Sequence, residues 1–208
     1  LILRLYNNFL FNTITFPAGI MQPPFFDTKA DSAVNYGAIG SVIGHELTHG
    51  FDDKGSAFNK NGEMKNWWSK KDRKLFEKKA KKLVGQFNKY EVLPGVFVNG
   101  KLTLGENIAD LGGLVIAYCA YQKALAGQKR KTIGGFTPEQ RFFLGAAQAE
   151  QGQARENETR RLINIDTHSP SKSRINIPFS NMDEFCEAFG VKDGNGMFIP
   201  KKDRVAIW

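Results

Sequence analysis

Cysteine and histidine are both scarce in this chain of 208 residues. It has two cysteines, Cys119 and Cys186, which are far apart and show no Cys-x-x-Cys spacing. A zinc finger needs closely spaced pairs of cysteines, so the sequence excludes that kind of site. The two cysteines leave the redox compartment of the protein open. The chain has three histidines, so any metal centre has few imidazoles to draw on.

Long apolar runs are also absent. No segment reaches the roughly 20 apolar residues of a transmembrane helix, and the sequence shows no signal segment, repeat or low-complexity tract. The hydrophobic share of 41% is ordinary for a globular protein, and the chain is long enough to bury a core as one domain. Because it starts with Leu1 and enters at once on a strand-like stretch, we expect a fragment of a longer chain.

Lysines between Lys70 and Lys82 supply much of the net charge of +8. Apolar residues at helical spacing among them predict an amphipathic helix from about Ser69 to Lys89. A basic helix can bind nucleic acid or an anionic surface. No base-reading or stacking arrangement accompanies these lysines, so we favour a solvated outer face and expect no nucleic-acid partner.

Residues 45 to 49 read His-Glu-Leu-Thr-His and predict a metal site. Positions i and i+4 share one face of a helix, so His45 and His49 can both face one Zn²⁺ with Glu46 beside them. Apolar residues flank the motif at the interval that buries one side of a helix, and Gly50 follows where helices commonly end. These apolar residues are Ile39, Val42, Ile43 and Leu47. The alternative is an accidental match in which both histidines are ordinary surface or core residues.

A third ligand is needed. Structural zinc sites take four protein ligands, whereas catalytic sites take three and leave one position for water. The longer pattern with a third histidine fails, because Asp52 and Gly55 stand where it needs glycine and histidine. The third ligand is therefore expected to be a carboxylate.

The segment Thr103 to Asp110 supplies such a carboxylate. It opens a second predicted helix, which runs to about Leu125, and it places Glu106 and Asp110 one turn apart on a shared face. A glutamate that binds zinc, followed by an aspartate that accepts a hydrogen bond from a ligand histidine, would complete the site. The alternative is that both are ordinary acids favoured near a helix N-terminus.

At this point the sequence resembles the neprilysin family of zinc metallopeptidases. The match runs in order from about residue 12 to the end of the chain, and several long motifs in register make an accident untenable. The matching segments are Phe16 to Phe26, Asn35 to Gly37, Val42 to Asp53, Asn66 to Trp68, Val98 to Gly100, Thr103 to Asp110, Asp166 to Pro170, Arg174 and Trp208.

The resemblance implies a role for each matching residue. The zinc ligands correspond to His45, His49 and Glu106, and Glu46 corresponds to the carboxylate that polarises the zinc-bound water and later gives its proton to the leaving amine. The resemblance further assigns Asp110 to the acid behind one ligand histidine, Asp52 to the acid behind the other, and His168 and Arg174 to the pair that holds the oxyanion and a substrate carbonyl.

The chain departs from the family pattern at two places. The family usually has Asn-Ala-aromatic on the strand that aligns the substrate, whereas this chain has Arg4 to Tyr6 there. In the helix after Gln148 the family usually has a tryptophan that lines the pocket for the residue just after the cleaved bond, and here Glu150 stands in that stretch. The apolar wall of this pocket corresponds to Ile20, Phe25 and Val42. These residues offer a charge no partner, so we expect Glu150 to turn outward.

The predicted fold is α+β and mostly helical, a zincin-like catalytic domain over 1–208 with a two-helix zinc site. An N-terminal β-hairpin edge is expected over residues 1–16 with Asn7 and Asn8 at its turn. Further expectations are a loop over residues 54–66, a short β-like stretch over 92–98, a linker over 126–135, a helix opened by a capping box at Thr137, a loop carrying His168 and Arg174, and a short helix ending before Gly190.

The predicted function is a zinc-dependent endopeptidase that hydrolyses short peptides with one Zn²⁺ per chain. The alternative is a folded zinc-binding fragment with little activity, because the N-terminal portion that covers the cleft in the family is missing. The expected partners are peptide substrates and that missing portion. The resemblance implies a secreted protein or a membrane-anchored ectodomain, with bacterial cytoplasm or periplasm as the alternative.

Overall fold

The computed structural model describes residues 5 to 207. Arg4, the first residues of the predicted hairpin and the matching Trp208 lie outside the described residues. The strands are β1 (Tyr6–Asn8), β2 (Thr13–Thr15), β3 (Glu91–Leu93) and β4 (Val96–Phe97). The helices are α1 (Ser32–Asn35), α2 (Ser41–His49), α3 (Lys70–Phe87), α4 (Leu104–Leu125), α5 (Pro138–Ala149), α6 (Glu156–Leu162), α7 (Ser171–Asn181) and α8 (Asp183–Phe189). A π-helical turn, Tyr36–Gly40, joins α1 to α2.

The mostly helical α+β prediction is confirmed over the described residues. The strands form two small antiparallel hairpins, β1 with β2 and β3 with β4. The predicted turn in the first hairpin is wrong, since Asn7 and Asn8 lie within β1 and the chain turns after them. In this turn Asn12 adopts a positive φ of 48°, a conformation that asparagine tolerates better than most residues.

Several local signals in the sequence act as expected. Thr137 and Gln140 form a reciprocal capping box at the start of α5, and Gly190 ends α8 in the left-handed conformation. One expectation is wrong, since Arg174 lies on α7 instead of a loop. Residues 156–162, for which the sequence made no prediction, form α6. Of the described helices, none is long and apolar enough to span a membrane.

Most buried apolar side chains form one core in which α4 and α5 meet α3, α7 and α8. Aromatic rings fill its centre, with Phe142 and Phe143 edge to face and Tyr121 stacked on Phe142. A second, smaller cluster of Leu5, Ile20 and Ile39 attaches the first hairpin to the start of α2. The hairpin is thereby fixed beside the helix that carries His45 and His49.

Helix α2 packs mainly against α4, and small residues bring the two backbones close together. A Cβ atom on Gly44 would lie 2.5 Å from the carbonyl oxygen of Gly113, and one on Gly112 would lie 2.6 Å from Thr48 Cγ2. The buried face of α2 is therefore the one with Gly44 and Thr48. The apolar stripe predicted for this helix is wrong at Leu47, which is 45% exposed.

Substitution of Gly44 by alanine tests this close contact. We expect Gly44→Ala to lower the free energy of unfolding by about 2 kcal/mol, because the new methyl group meets backbone atoms that cannot rotate away. Denaturant unfolding in the presence of a chelator measures it without a contribution from metal. The matched control is Gly85→Ala in α3, where a Cβ atom meets no other atom within 4 Å. Because alanine has a higher helix propensity than glycine, this variant should raise the free energy of unfolding by up to about 1 kcal/mol. Equal stability of both variants would contradict the packing argument.

Candidate metal centre

The close approach of α2 and α4 brings His45, His49 and Glu106 together. One ligand atom from each residue lies within 4.8 Å of the other two. Glu106 Oε2 lies 3.2 Å from His45 Nε2 and 3.7 Å from His49 Nε2. The two imidazoles stand edge to face with their ring centres 4.5 Å apart.

A carboxylate behind each imidazole fixes its orientation. His45 Nδ1 lies 2.8 Å from Asp110 Oδ1, and His49 Nδ1 lies 2.8 Å from Asp52 Oδ2. Because a carboxylate accepts hydrogen bonds, each Nδ1 carries the hydrogen, which leaves the Nε2 lone pair of the neutral ring facing the centre. Asp52 is itself held by the backbone N–H groups of Lys54 and Gly55, which donate to its Oδ1 at 2.7 Å.

Glu106 Oε2 is a buried acceptor that receives no hydrogen bond of normal geometry. A buried carboxylate oxygen without a donor is costly, and here it faces two imidazole nitrogens that also have lone pairs. Three converging acceptors of this kind need a cation between them. Two imidazoles and one carboxylate are a ligand set found in catalytic zinc sites, so these residues fit the metal.

The pKa shifts of the residues in this centre also favour a cation there. Burial alone would lower the pKa of His45, but the nearby carboxylates of Asp110 and Glu106 outweigh burial and raise this pKa to about 10. Burial alone would raise the pKa of Glu106, but the contact with His45 and the charges of the other histidines lower it. The cluster therefore favours positive charge at its centre, which a protonated imidazole supplies when a divalent ion does not.

Glu46 lies on α2 between the two histidines, and it is buried and lines the cleft beside them. Its backbone carbonyl accepts a hydrogen bond of 2.9 Å from the side chain of Asn7 in β1. This bond ties the first hairpin to the helix of the metal centre. Sequence analysis missed the role of Asn7, since a turn was expected at this residue.

His168 approaches the centre from the loop before α7. Its Nε2 lies 3.4 Å from Glu106 Oε2, and its Nδ1 lies 2.9 Å from Asp166 Oδ1. The side chain is 35% exposed, so it remains accessible from the cleft. A further residue, Ser169, donates a hydrogen bond of 2.7 Å to Asn107 Oδ1, which anchors this loop to α4 next to Glu106. The sequence signal for this anchor is Asn107, an amide on the buried face of a helix.

Arg174 reaches the site from α7. Its Nε and Nη2 donate to the two oxygens of Asp110 at 2.8 and 2.7 Å, which is a bidentate pair. Burial would raise the pKa of Asp110, but Arg174 and then His45 outweigh it and keep this pKa well below its usual range. Asp110 thus remains a carboxylate that holds both a metal-facing imidazole and a guanidinium.

Glu150 also belongs to this site. It follows the last residue of α5, and its Oε2 lies 3.4 Å from Arg174 Nη1. The expectation that Glu150 turns outward for want of a cation is therefore wrong, because Arg174 provides one. The side chains of Ile20, Phe25 and Val42 line the same cleft, which has a volume of about 860 Å³.

Comparisons with known proteins agree with this geometry. The model of peptidase family M13 matches residues 6–205. Neprilysin-11 of Caenorhabditis elegans is 46% identical over 183 residues, which are 86% of this chain and 22% of that protein. Human neprilysin is 43% identical over 199 residues, which are 93% of this chain and 26% of that protein. The chain thus spans about a quarter of the length of these relatives.

Solved structures show the same fold. The zinc metalloprotease Zmp1 of Mycobacterium tuberculosis, in complex with an inhibitor, superposes with a TM-score of 0.96 and is 44% identical in sequence. This match covers 99% of this chain and 32% of the Zmp1 chain. PepO from Lactobacillus rhamnosis superposes with a TM-score of 0.88 at 34% identity, and this match covers 99% of this chain and 31% of the PepO chain. The zincin-like prediction is confirmed by these structures. Because the family model matches nearly the whole sequence, the chain belongs to peptidase family M13, the family of neprilysin.

Proposed function

We propose that the chain is the catalytic portion of a zinc metalloendopeptidase. In this proposal one Zn²⁺ per chain is held by His45 Nε2, His49 Nε2 and Glu106 Oε2. The observation that carries the proposal is the convergence of these three acceptors, of which Glu106 Oε2 is buried without a donor. When bound, such an ion acts as a Lewis acid that activates water and polarises a peptide carbonyl.

The residues around the centre divide the remaining work. Glu46 takes the proton of the attacking water and passes it to the amine that leaves when the peptide C–N bond breaks. His168 and Arg174 donate hydrogen bonds to the oxygen that gains negative charge and to a neighbouring substrate carbonyl. Asp110 and Asp52 keep the two imidazoles in the orientation that the ligand role needs.

We further propose short peptides as the substrate class. The cleft is lined by residues of the first hairpin and of the end of α5, and its walls combine apolar side chains with the charged residues of the centre. The relatives are about four times as long as this chain. A folded zinc-binding fragment with little turnover is the alternative that the following measurements distinguish.

Metal content tests the ligand assignment. The chain should retain one zinc ion after dialysis, and both His45→Ala and Glu106→Ala should lose stoichiometric zinc, because two protein ligands hold the ion poorly. Elemental analysis of the dialysed proteins measures this ratio. His168→Ala is the matched control, since it removes a neighbouring imidazole that is not a proposed ligand, and it should keep its zinc. One zinc per chain in all three variants would overturn the assignment.

Glu46→Gln tests the proton carrier. This variant should bind zinc as the wild type does and lose hydrolysis of short peptides, because an amide cannot take a proton from water. Turnover is measured with and without chelator, and the chelator should abolish the wild-type rate. If wild-type protein binds zinc but cleaves no peptide, the chain is the inactive fragment of the alternative. If Glu46→Gln cleaves at the wild-type rate, the base is another group.

His168→Ala tests stabilisation of the developing charge. Loss of one such donor costs about 3 kcal/mol in comparable sites, so the catalytic constant should fall by a few hundredfold while zinc remains bound. Steady-state kinetics separate this outcome from a simple binding role. A change in the Michaelis constant alone would make His168 a contact that holds substrate and transition state equally.

A further inference from the structure

Glu150 is the third partner in a row of charges that runs away from the metal centre. Asp110 takes the Nε and Nη2 hydrogens of Arg174 in a bidentate pair, at 2.8 and 2.7 Å. Glu150 Oε2 approaches the remaining nitrogen, Nη1, at the longer distance of 3.4 Å. One guanidinium therefore serves two carboxylates, and the nearer of the two, Asp110, has the stronger pair.

The charge of Glu150 is consequently left incompletely balanced. Its side chain is 27% exposed, so it is largely desolvated but still reachable from the cleft. Burial raises the pKa of Glu150, Arg174 opposes this shift, and the charge of Asp110 reinforces it. A carboxylate in this position gains from any further cation that enters the cleft beside it.

The wider cleft is negatively charged, like Glu150, although the whole chain has a net charge of +8. Its described lining contains five carboxylates, which are Glu46, Asp52, Glu106, Asp110 and Glu150. Two cationic side chains, Lys54 and Arg174, stand against them in that lining, together with either a protonated His45 or a bound Zn²⁺. The five negative charges exceed the three positive charges of the first case and the four of the second. Asp110 and Asp52 accept hydrogen bonds from His45 and His49, Glu106 belongs to the ligand cluster, and Glu46 lies on α2 between the two histidines. Glu150 is the remaining carboxylate of this lining, and it lies beside Arg174 in the cleft that Ile20, Phe25 and Val42 also line.

The apolar walls and the carboxylate together match one kind of side chain. Lysine and arginine have an apolar stem that packs against residues such as Ile20 and Val42, and a charged end that needs an acid. A purely apolar side chain would bury the carboxylate further without giving it a partner. An acidic side chain would repel it.

We propose that Glu150 makes the cleft select peptides with a lysine or arginine next to the cleaved bond. This specificity rests on the proposed peptidase function for the meaning of the cleaved bond. The contact itself, between Glu150 and a cation in the cleft, requires only that a peptide binds there. Specificity and function can therefore fail separately.

Peptide binding provides the test. Labelled short peptides are compared in pairs that carry lysine or norleucine at the position just before or just after the cleaved bond, because norleucine keeps the stem and lacks the ammonium group. Binding is measured by fluorescence anisotropy to the zinc-loaded chain carrying Glu46→Gln, so that no peptide is consumed. At one of the two positions lysine should bind about tenfold more tightly, which corresponds to about 1.4 kcal/mol.

Variants at position 150 then assign the preference. Adding Glu150→Gln should reduce the ratio of lysine to norleucine affinity to about one, whereas Glu150→Asp, which keeps the charge, should retain part of it. The matched control is Glu158→Gln in α6, which removes the same charge from an exposed pair with Arg161 and should leave the ratio unchanged. Thermal unfolding of each variant confirms that it is folded.

Three results would overturn the proposal. Equal affinity for lysine and norleucine peptides at both positions would show that the cleft has no such preference. A preference that survives in Glu150→Gln would assign it to another group, and a loss of affinity in this variant that is equal for both peptides would make Glu150 only a positioning residue for Arg174. If the chain binds no zinc, the peptidase proposal fails, but the ratio of lysine to norleucine affinity is then measured on the zinc-free chain, and Glu150 is still tested.

Discussion

The site depends on how closely the backbones of α2 and α4 approach each other. Gly44 and Gly113 meet without room for a Cβ atom on either, and this contact sets the distance between the helix with His45 and His49 and the helix with Glu106. Larger residues here would separate the helices, and ligand atoms within 4.8 Å of one another would move apart. Packing of glycine against glycine, and not a side chain of the site itself, therefore determines whether three ligands can share one ion.

Asp110 connects this packing to the chemistry. It lies one turn after Glu106 on α4, accepts the Nδ1 hydrogen of His45 and binds Arg174 in a bidentate pair. A buried carboxylate is stable only with such partners, and here the partners are two residues of the site. The orientation of His45 and that of Arg174 are therefore coupled, since either side chain can move only if Asp110 loses a strong hydrogen bond.

Local sequence signals predicted what depends on neighbours in the chain. The spacing of His45 and His49, the shared face of Glu106 and Asp110 and the capping box at Thr137 all follow from helical geometry over a few residues. The family resemblance, not spacing, assigned Arg174 to the substrate side of the site, and its bidentate pair with Asp110 was not predicted. The predictions that were wrong concern features that depend on contacts with residues distant in the sequence. Leu47 is exposed because α2 turns its small residues to α4.

The orientation of Glu150 was also predicted wrongly because it depends on a distant residue, in this case a charged one. Its outward orientation was expected because the apolar residues that share its pocket offer no cation. Ile20, Phe25 and Val42 do line the cleft, and none of them can pair with a carboxylate. The cation comes from α7, 24 positions further along the chain. Sequence alone could not place Arg174 there, since a loop was expected where α7 forms.

The three candidate ligands lie outside the main apolar core, although α4 contributes to both. The core is built from aromatic and aliphatic side chains of α3, α4, α5, α7 and α8, and none of the three candidate ligands belongs to it. A zinc finger lacks such a core and gains its folding free energy from the metal. Here the helices are packed by apolar burial, and carboxylates hold the imidazoles in place. Apolar burial in the core, and not a metal, therefore supplies the main stability of the helices that carry the candidate ligands.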